Sequence, residues 1–172
     1  MRRIKPFLCC VAMVLAGCGD PRITQVQRRL MVMEQDLPKM SGRHHMLVEI
    51  HGSPWPGADR SEVAGTIRMP DGPSKNLRFV LVKPGESRLG GEDRLVLHFN
   101  PTGGPDSVKD CHARSELPSD PPSTSGFTVN VTVCRGDEWM LRAVMESGAN
   151  DKDWLAYYQA FQAVLGKMFP GE

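Results

Sequence analysis

The sequence predicts an α+β fold, with a small antiparallel sheet of four to five strands covered by helices chiefly on one face. Three observations predict it. Segments 44–51, 76–83, 94–100 and 127–134 alternate apolar and polar residues at the period of a half-buried strand. Segment 150–169 spaces its apolar residues at three- and four-residue intervals, the period of an amphipathic helix. Between the last two strands, residues 101–126 are rich in Pro, Ser and Gly and lack hydrophobic periodicity, which reads as one long loop.

The chain opens with Arg2, Arg3 and Lys5, followed by an uncharged stretch from Phe7 to Gly17. A helix needs about 20 apolar residues to cross hydrocarbon, so this stretch is too short for a permanent span and has the layout of a secretory signal. Directly behind it stands Leu15-Ala16-Gly17-Cys18. That motif resembles the lipobox of bacterial lipoproteins. The resemblance implies that the Cys18 thiol takes a diacylglyceryl group, that the Gly17–Cys18 bond is cut and that the new amine is acylated. The mature chain then starts at Cys18, faces the periplasm and is held by two or three acyl chains, enough for stable anchoring. The layout of the mature domain resembles that of small bacterial lipoproteins, from which no functional residue is carried over. In enteric lipoproteins an Asp directly after the lipidated Cys retains the protein at the inner membrane. Here Gly19 holds that position and Asp20 follows, which favours the outer membrane.

Loss of residues 1–17 removes three basic and no acidic residues, so the formal charge moves from +1 to −2. Such a chain has no surplus of cations for a phosphate backbone, and nucleic acid is excluded as a favoured partner. Cys9 and Cys10 leave with the signal and Cys18 is lipidated, which leaves Cys111 and Cys134 to pair in an oxidising compartment. Closing that loop contributes about 3 kcal/mol in the chain-entropy model. The fold expectation thereby gains a disulfide-tied long loop. The competing reading makes Cys111, in Asp110-Cys111-His112, a nucleophile or metal ligand. It lacks both a triad partner and a Cys-x-x-Cys spacing.

The chain divides into a signal peptide, 1–17, an anchor-proximal segment, 18–43, and the α+β domain, 44–172. In the middle part, Ile23, Val26, Leu30, Met33 and Leu37 recur at helical spacing, predicting a helix over 19–37 that stops at Pro38. In the strand at 44–51, Met46, Val48 and Ile50 share one face and Leu47, Glu49 and His51 the other. Trp55, stiffened by Pro54 and Pro56, reads as an edge cover of the core rather than a presented aromatic. Asp59 and Glu62 have capping-box spacing, and Val63, Ile67 and Met69 predict a short helix ended before Pro70. Segments 76–83 and 94–100, joined by turn residues including Pro84-Gly85 and Gly90-Gly91, read as a hairpin. Leu77, Phe79 and Leu81 face the core from the first; Leu95, Leu97 and Phe99 do so from the second, with Arg94, Val96 and His98 opposite.

The strand at 127–134 points Phe127, Val129, Val131 and Val133 at the core and places Cys134 on the polar side. The disulfide should therefore pin the loop on the outer face of the sheet. Residues 138–146 fit either an edge strand or a helical turn. The C-terminal helix is expected to start from Asn150 or Asp151 as cap and to bury Trp154, Tyr157, Tyr158, Phe161, Val164, Leu165 and Met168 against the sheet.

No P-loop, dinucleotide-binding glycine run, nucleophile elbow or zincin motif is present in the sequence. The reading is a non-enzymatic binding or envelope-assembly module without a cofactor. It meets the membrane through the Cys18 lipid and has an envelope protein as its potential partner. The alternative is copper handling by Met31, Met33, Met40, His44, His45 and Met46, whose thioethers and imidazoles suit that metal. Core methionines beside a solvated His pair explain the same residues.

Overall fold

A computed structural model describes residues 21–29, 45–71, 75–86, 93–148 and 153–169. The elements are β1 (Arg22–Arg28), β2 (His45–His51), α1 (Arg60–Thr66), β3 (Arg78–Val82), β4 (Asp93–Phe99), α2 (Ser107–His112), β5 (Phe127–Arg135), β6 (Glu138–Ser147) and α3 (Trp154–Met168). Among the described residues the architecture is mixed α+β: six strands in one sheet, in the order β1-β6-β5-β4-β2-β3, with three helices. The sheet thus has six strands rather than four to five. It is also mixed rather than antiparallel, because β2 runs parallel to both β3 and β4.

Two strands account for the difference. The helix expected over 19–37 is a strand at Arg22–Arg28, while residues 30–44 lie outside the described residues. A bulge between Thr24 and Gln27, with Gln25 at φ 52°, breaks the two-residue alternation of β1. That irregularity leaves Ile23 and Val26 three apart, the spacing of a helix face. The undecided segment 138–146 becomes β6. It is not an edge strand, since it pairs with β5 on one side and β1 on the other.

The expected hairpin of segments 76–83 and 94–100 does not form. β3 and β4 run in the same direction, and β2 lies between them. Parallel pairing requires the chain to cross back between strands, and α1 makes that crossing from β2 to β3. Asp59 caps α1 by accepting from the Ser61 and Glu62 backbone N–H groups at 2.7 and 3.1 Å.

The main core lies between one face of the sheet and helices α1 and α3. Val48 and Ile50 of β2, Leu95, Leu97 and Phe99 of β4, and the four apolar residues of β5 meet Val63, Phe161, Val164 and Leu165 there. Trp55 is buried in this core, with its ring 5.0 Å from Trp154 and 5.3 Å from Tyr157. α3 starts from Asp153, which accepts from the Ala156 N–H at 2.8 Å; the expected caps, Asn150 and Asp151, lie outside the described residues. Of the expected apolar stripe, Tyr158 stays partly exposed, at 37%.

The stretch 101–126 is not structureless: it contains α2, capped by Asp106, whose carboxylate accepts from the Val108 and Lys109 N–H groups. The cap, rather than apolar periodicity, starts this helix, which is why the sequence reads as loop. α2 packs on β4, β5 and β6 from the face opposite α1 and α3. Helices therefore cover both faces.

Candidate functional site

Beneath α2 the sheet buries ionisable and polar side chains instead of exposing them. Glu49 and His51 of β2, Arg94 and His98 of β4, and Asn130 and Thr132 of β5 all project to this face and are all buried. From α2, Ser107 and Asp110 complete the cluster.

The Arg94 guanidinium is its centre. Nε lies 3.3 Å from Glu49 Oε1, one terminal nitrogen donates to the Gly136 carbonyl at 2.7 Å, and the other donates to the Cys111 carbonyl at 2.6 Å. Arg94 thus ties the last turn of α2 and the β5–β6 turn to β4, and the Cys111 carbonyl it takes is one that a helix end leaves open. Burial pushes its pKa down from the ordinary value; the Glu49 carboxylate opposes that shift by favouring the cation, and the Arg114 charge adds to it. The Leu117 N–H donates to His51 Nδ1 at 3.1 Å, which places the ring proton on Nε2, 3.6 Å from Glu49 Oε2.

Asp110 organises the second half. Its Oδ1 lies 2.9 Å from His98 Nδ1, and its Oδ2 accepts from Asn130 Nδ2 at 2.6 Å and from the Thr132 hydroxyl at 3.1 Å. The other His98 nitrogen faces the Pro118 carbonyl at 3.2 Å. Ser107, His98 and Asp110 are the residue types of a hydrolytic triad, but the geometry differs. His98 Nε2 faces a backbone carbonyl, and the Ser107 hydroxyl bonds Asn130 and Thr132. The arrangement is a buried hydrogen-bond network that fixes α2 and residues 117–118 on the sheet.

The Cys111–Cys134 disulfide lies beside this network, with an S–S distance of 2.01 Å, and packs with Val96 and Trp139 on the outer face. That is the face the sequence predicts, and both cysteines are fully buried there. Cys111 therefore carries no free thiol, and the exposed His112 has no cysteine nucleophile to activate. Cys18 lies outside the described residues, as do Met31, Met33, Met40 and His44 of the copper reading. Of the remaining two, His45 is exposed and Met46 belongs to the main core. Among the described residues, no group of three or more His, Cys, Asp and Glu is placed to hold a metal ion.

No family model, no curated protein and no solved structure matches the chain. Among the described residues, no helix is long and apolar enough to cross a membrane.

A second feature is an open groove of about 490 Å³ where β1 begins and β6 ends. Arg22 and Glu146, 3.9 Å apart, stand at it together with Ser123, Ser125, Ser147 and Gly148. Asn100, at φ 48°, braces the adjoining loops: its side chain donates to the Ser53 carbonyl and accepts from the Thr128 N–H, and its own carbonyl accepts from the Asp120 N–H.

The polar network is the part of the site that sequence reasoning missed, because Glu49, His51, Arg94 and His98 read as the solvent side of alternating strands. A signal was present. Complementary charges fall at alternate positions of two strands, and a cysteine shares their face on a third.

Proposed function

We propose that this protein is a lipid-anchored, periplasm-facing lipoprotein whose domain serves as a non-enzymatic binding or envelope-assembly module. The observation that carries the anchor is Leu15-Ala16-Gly17-Cys18 behind a basic start and a short apolar stretch. The non-enzymatic reading is supported by the titratable cluster under α2. Its groups are sealed from solvent and bonded chiefly to one another and to backbone, although His51 Nε2, Arg94 Nε and Asn130 Oδ1 make no hydrogen bond, whereas an acid–base catalyst must reach its substrate's proton. The disulfide fits an oxidising compartment.

Intact mass of the full chain, extracted from membranes in detergent, tests the anchor. The expected species starts at Cys18, carries the acyl mass and contains one disulfide; a chain retaining Met1, or an unmodified Cys18, overturns it. A Cys18→Ser variant should leave the membrane fraction. By the Gly19 rule the protein sorts to the outer membrane, and sucrose-gradient recovery with inner-membrane markers would overturn that part. For the binding role, cross-linking in intact cells followed by detergent extraction should recover one specific envelope protein.

A further inference from the structure

We propose that the end of the sheet where β1 begins rests on the bilayer surface, so that Leu155, Tyr158 and the groove between Arg22 and Glu146 face lipid headgroups. The inference rests on the Cys18 anchor and adds the surface through which the domain meets the membrane.

The tether to Cys18 is short. Only Gly19, Asp20 and Pro21 separate Cys18 from Arg22. Four residue steps span at most about 14 Å when fully extended. β1 pairs Arg22 with Glu146, and β6 pairs Ser147 with Phe127, so Arg22 stands at the end of the sheet where β5 starts. β5 then runs nine residues to Arg135, a rise of about 27 Å, to the turn at Gly136. A tether about half that length holds the Arg22 end close to the lipid and leaves Gly136 pointing away.

Leu155 is the most exposed large hydrophobic side chain described, at 64%, and Tyr158 follows one turn later at 37%. Both belong to the first turns of α3, whose start lies at the same end of the sheet: Tyr157 packs 5.8 Å from Phe127, and Trp154 packs on Trp55 just beyond β2. Helical side chains lean toward the N-terminus of their helix, so Leu155 and Tyr158 lean toward this end. An apolar chain beside a Tyr, whose ring is apolar and whose hydroxyl is polar, suits the headgroup boundary. The groove adds one cation, one anion and several hydroxyls, which match a zwitterionic headgroup layer better than an anionic one. The acyl chains hold the protein, while these residues set its tilt.

The test uses the full lipidated chain in vesicles of phosphatidylcholine and phosphatidylethanolamine that contain a lipid with a nitroxide quencher on its headgroup. Ser125→Cys at the near end and Asp137→Cys at the far end each carry a maleimide fluorophore, since the native cysteines are lipidated or buried in the disulfide. The expected result is strong quenching at residue 125 and none at residue 137. Adding Leu155→Glu and Tyr158→Ser to the Ser125→Cys chain should lose most of that quenching without changing the circular dichroism spectrum. Equal quenching at both positions in protein that floats with the vesicles overturns the orientation alone. Protein that neither floats nor carries lipid at Cys18 overturns the anchor, and this inference with it.

Discussion

Arg94 and Asp110 show what a single buried residue decides in this fold. Arg94 gathers groups from three separate parts of the chain and Asp110 from two strands, and each leaves several polar atoms stranded if removed. Removing one member of a buried polar network costs about 1–3 kcal/mol for each partner left unpaired, because that partner stays desolvated. Asp110→Ala leaves His98, Asn130 and Thr132 short of a partner and should therefore lower unfolding free energy by about 3 kcal/mol, read as a fall in the urea midpoint at unchanged slope. Gly52 is a second such position. It sits at φ +67°, and a Cβ there would come 2.5 Å from the Phe99 carbonyl oxygen, so Gly52→Ala should cost more than about 1 kcal/mol in the same measurement. Asp59 gives a pH signature. The Ser61 hydroxyl and the Glu62 and Ser61 N–H groups favour its carboxylate and hold its pKa below the usual 3.8. A depressed native value means that the folded chain binds fewer protons. The stabilisation is present above pH 3.8 and is lost as pH falls through the native value. The difference in melting temperature between the native chain and Asp59→Asn should shrink below that pH.

Among the elements, α2 depends most on other parts of the molecule. Six residues cannot hold a helix in water, so its stability comes from the Asp106 cap, the Cys111–Cys134 bridge and the network beneath it. Closing the 23-residue separation contributes about 3 kcal/mol in the chain-entropy model. Reduction, or the double substitution Cys111→Ser and Cys134→Ser, should lower stability by about that amount. It should also open residues 107–118 to proteolysis before the rest of the domain, since without the bridge only hydrogen bonds and ion pairs would hold that segment. Cleavage first in α3 instead would contradict this account. β1 is the opposite case. Its bulge and its arginines blunt an outer edge that a flat apolar strand would leave open to pairing with another chain.

At the scale of the whole molecule, β1 is the strand that, among the described residues, covers the β6 side of the sheet. A chain beginning at residue 45 lacks that strand and exposes the backbone donors and acceptors of β6, ten residues long, as a new edge. It should self-associate, visible as higher-mass species on size exclusion, while the chain from residue 21 stays monodisperse. The two sheet faces differ in kind. One holds the apolar core under α1 and α3, and the other holds charges under α2. Covering both faces lets β2 and β4 lie parallel in the interior of the sheet, where strands are usually buried on each side.

What the sequence alone determined was local chemistry. The alternation of β2, β4 and β5, the Asp59 cap of α1 and the apolar stripe of α3 are legible because near neighbours specify them, and the pairing of Cys111 with Cys134 because two cysteines remain to pair. Tertiary structure decided the rest. A bulge disguised β1 as a helix, and pairing on both sides made the ambiguous 138–146 an interior strand. The insertion of β2 between β3 and β4 is a long-range choice that neither turn residues nor periodicity encode. The polar network stayed hidden for the same reason. Alternation tells which residues share a face, but only the packing of α2 across β4, β5 and β6 tells whether that face meets water or another element of the chain.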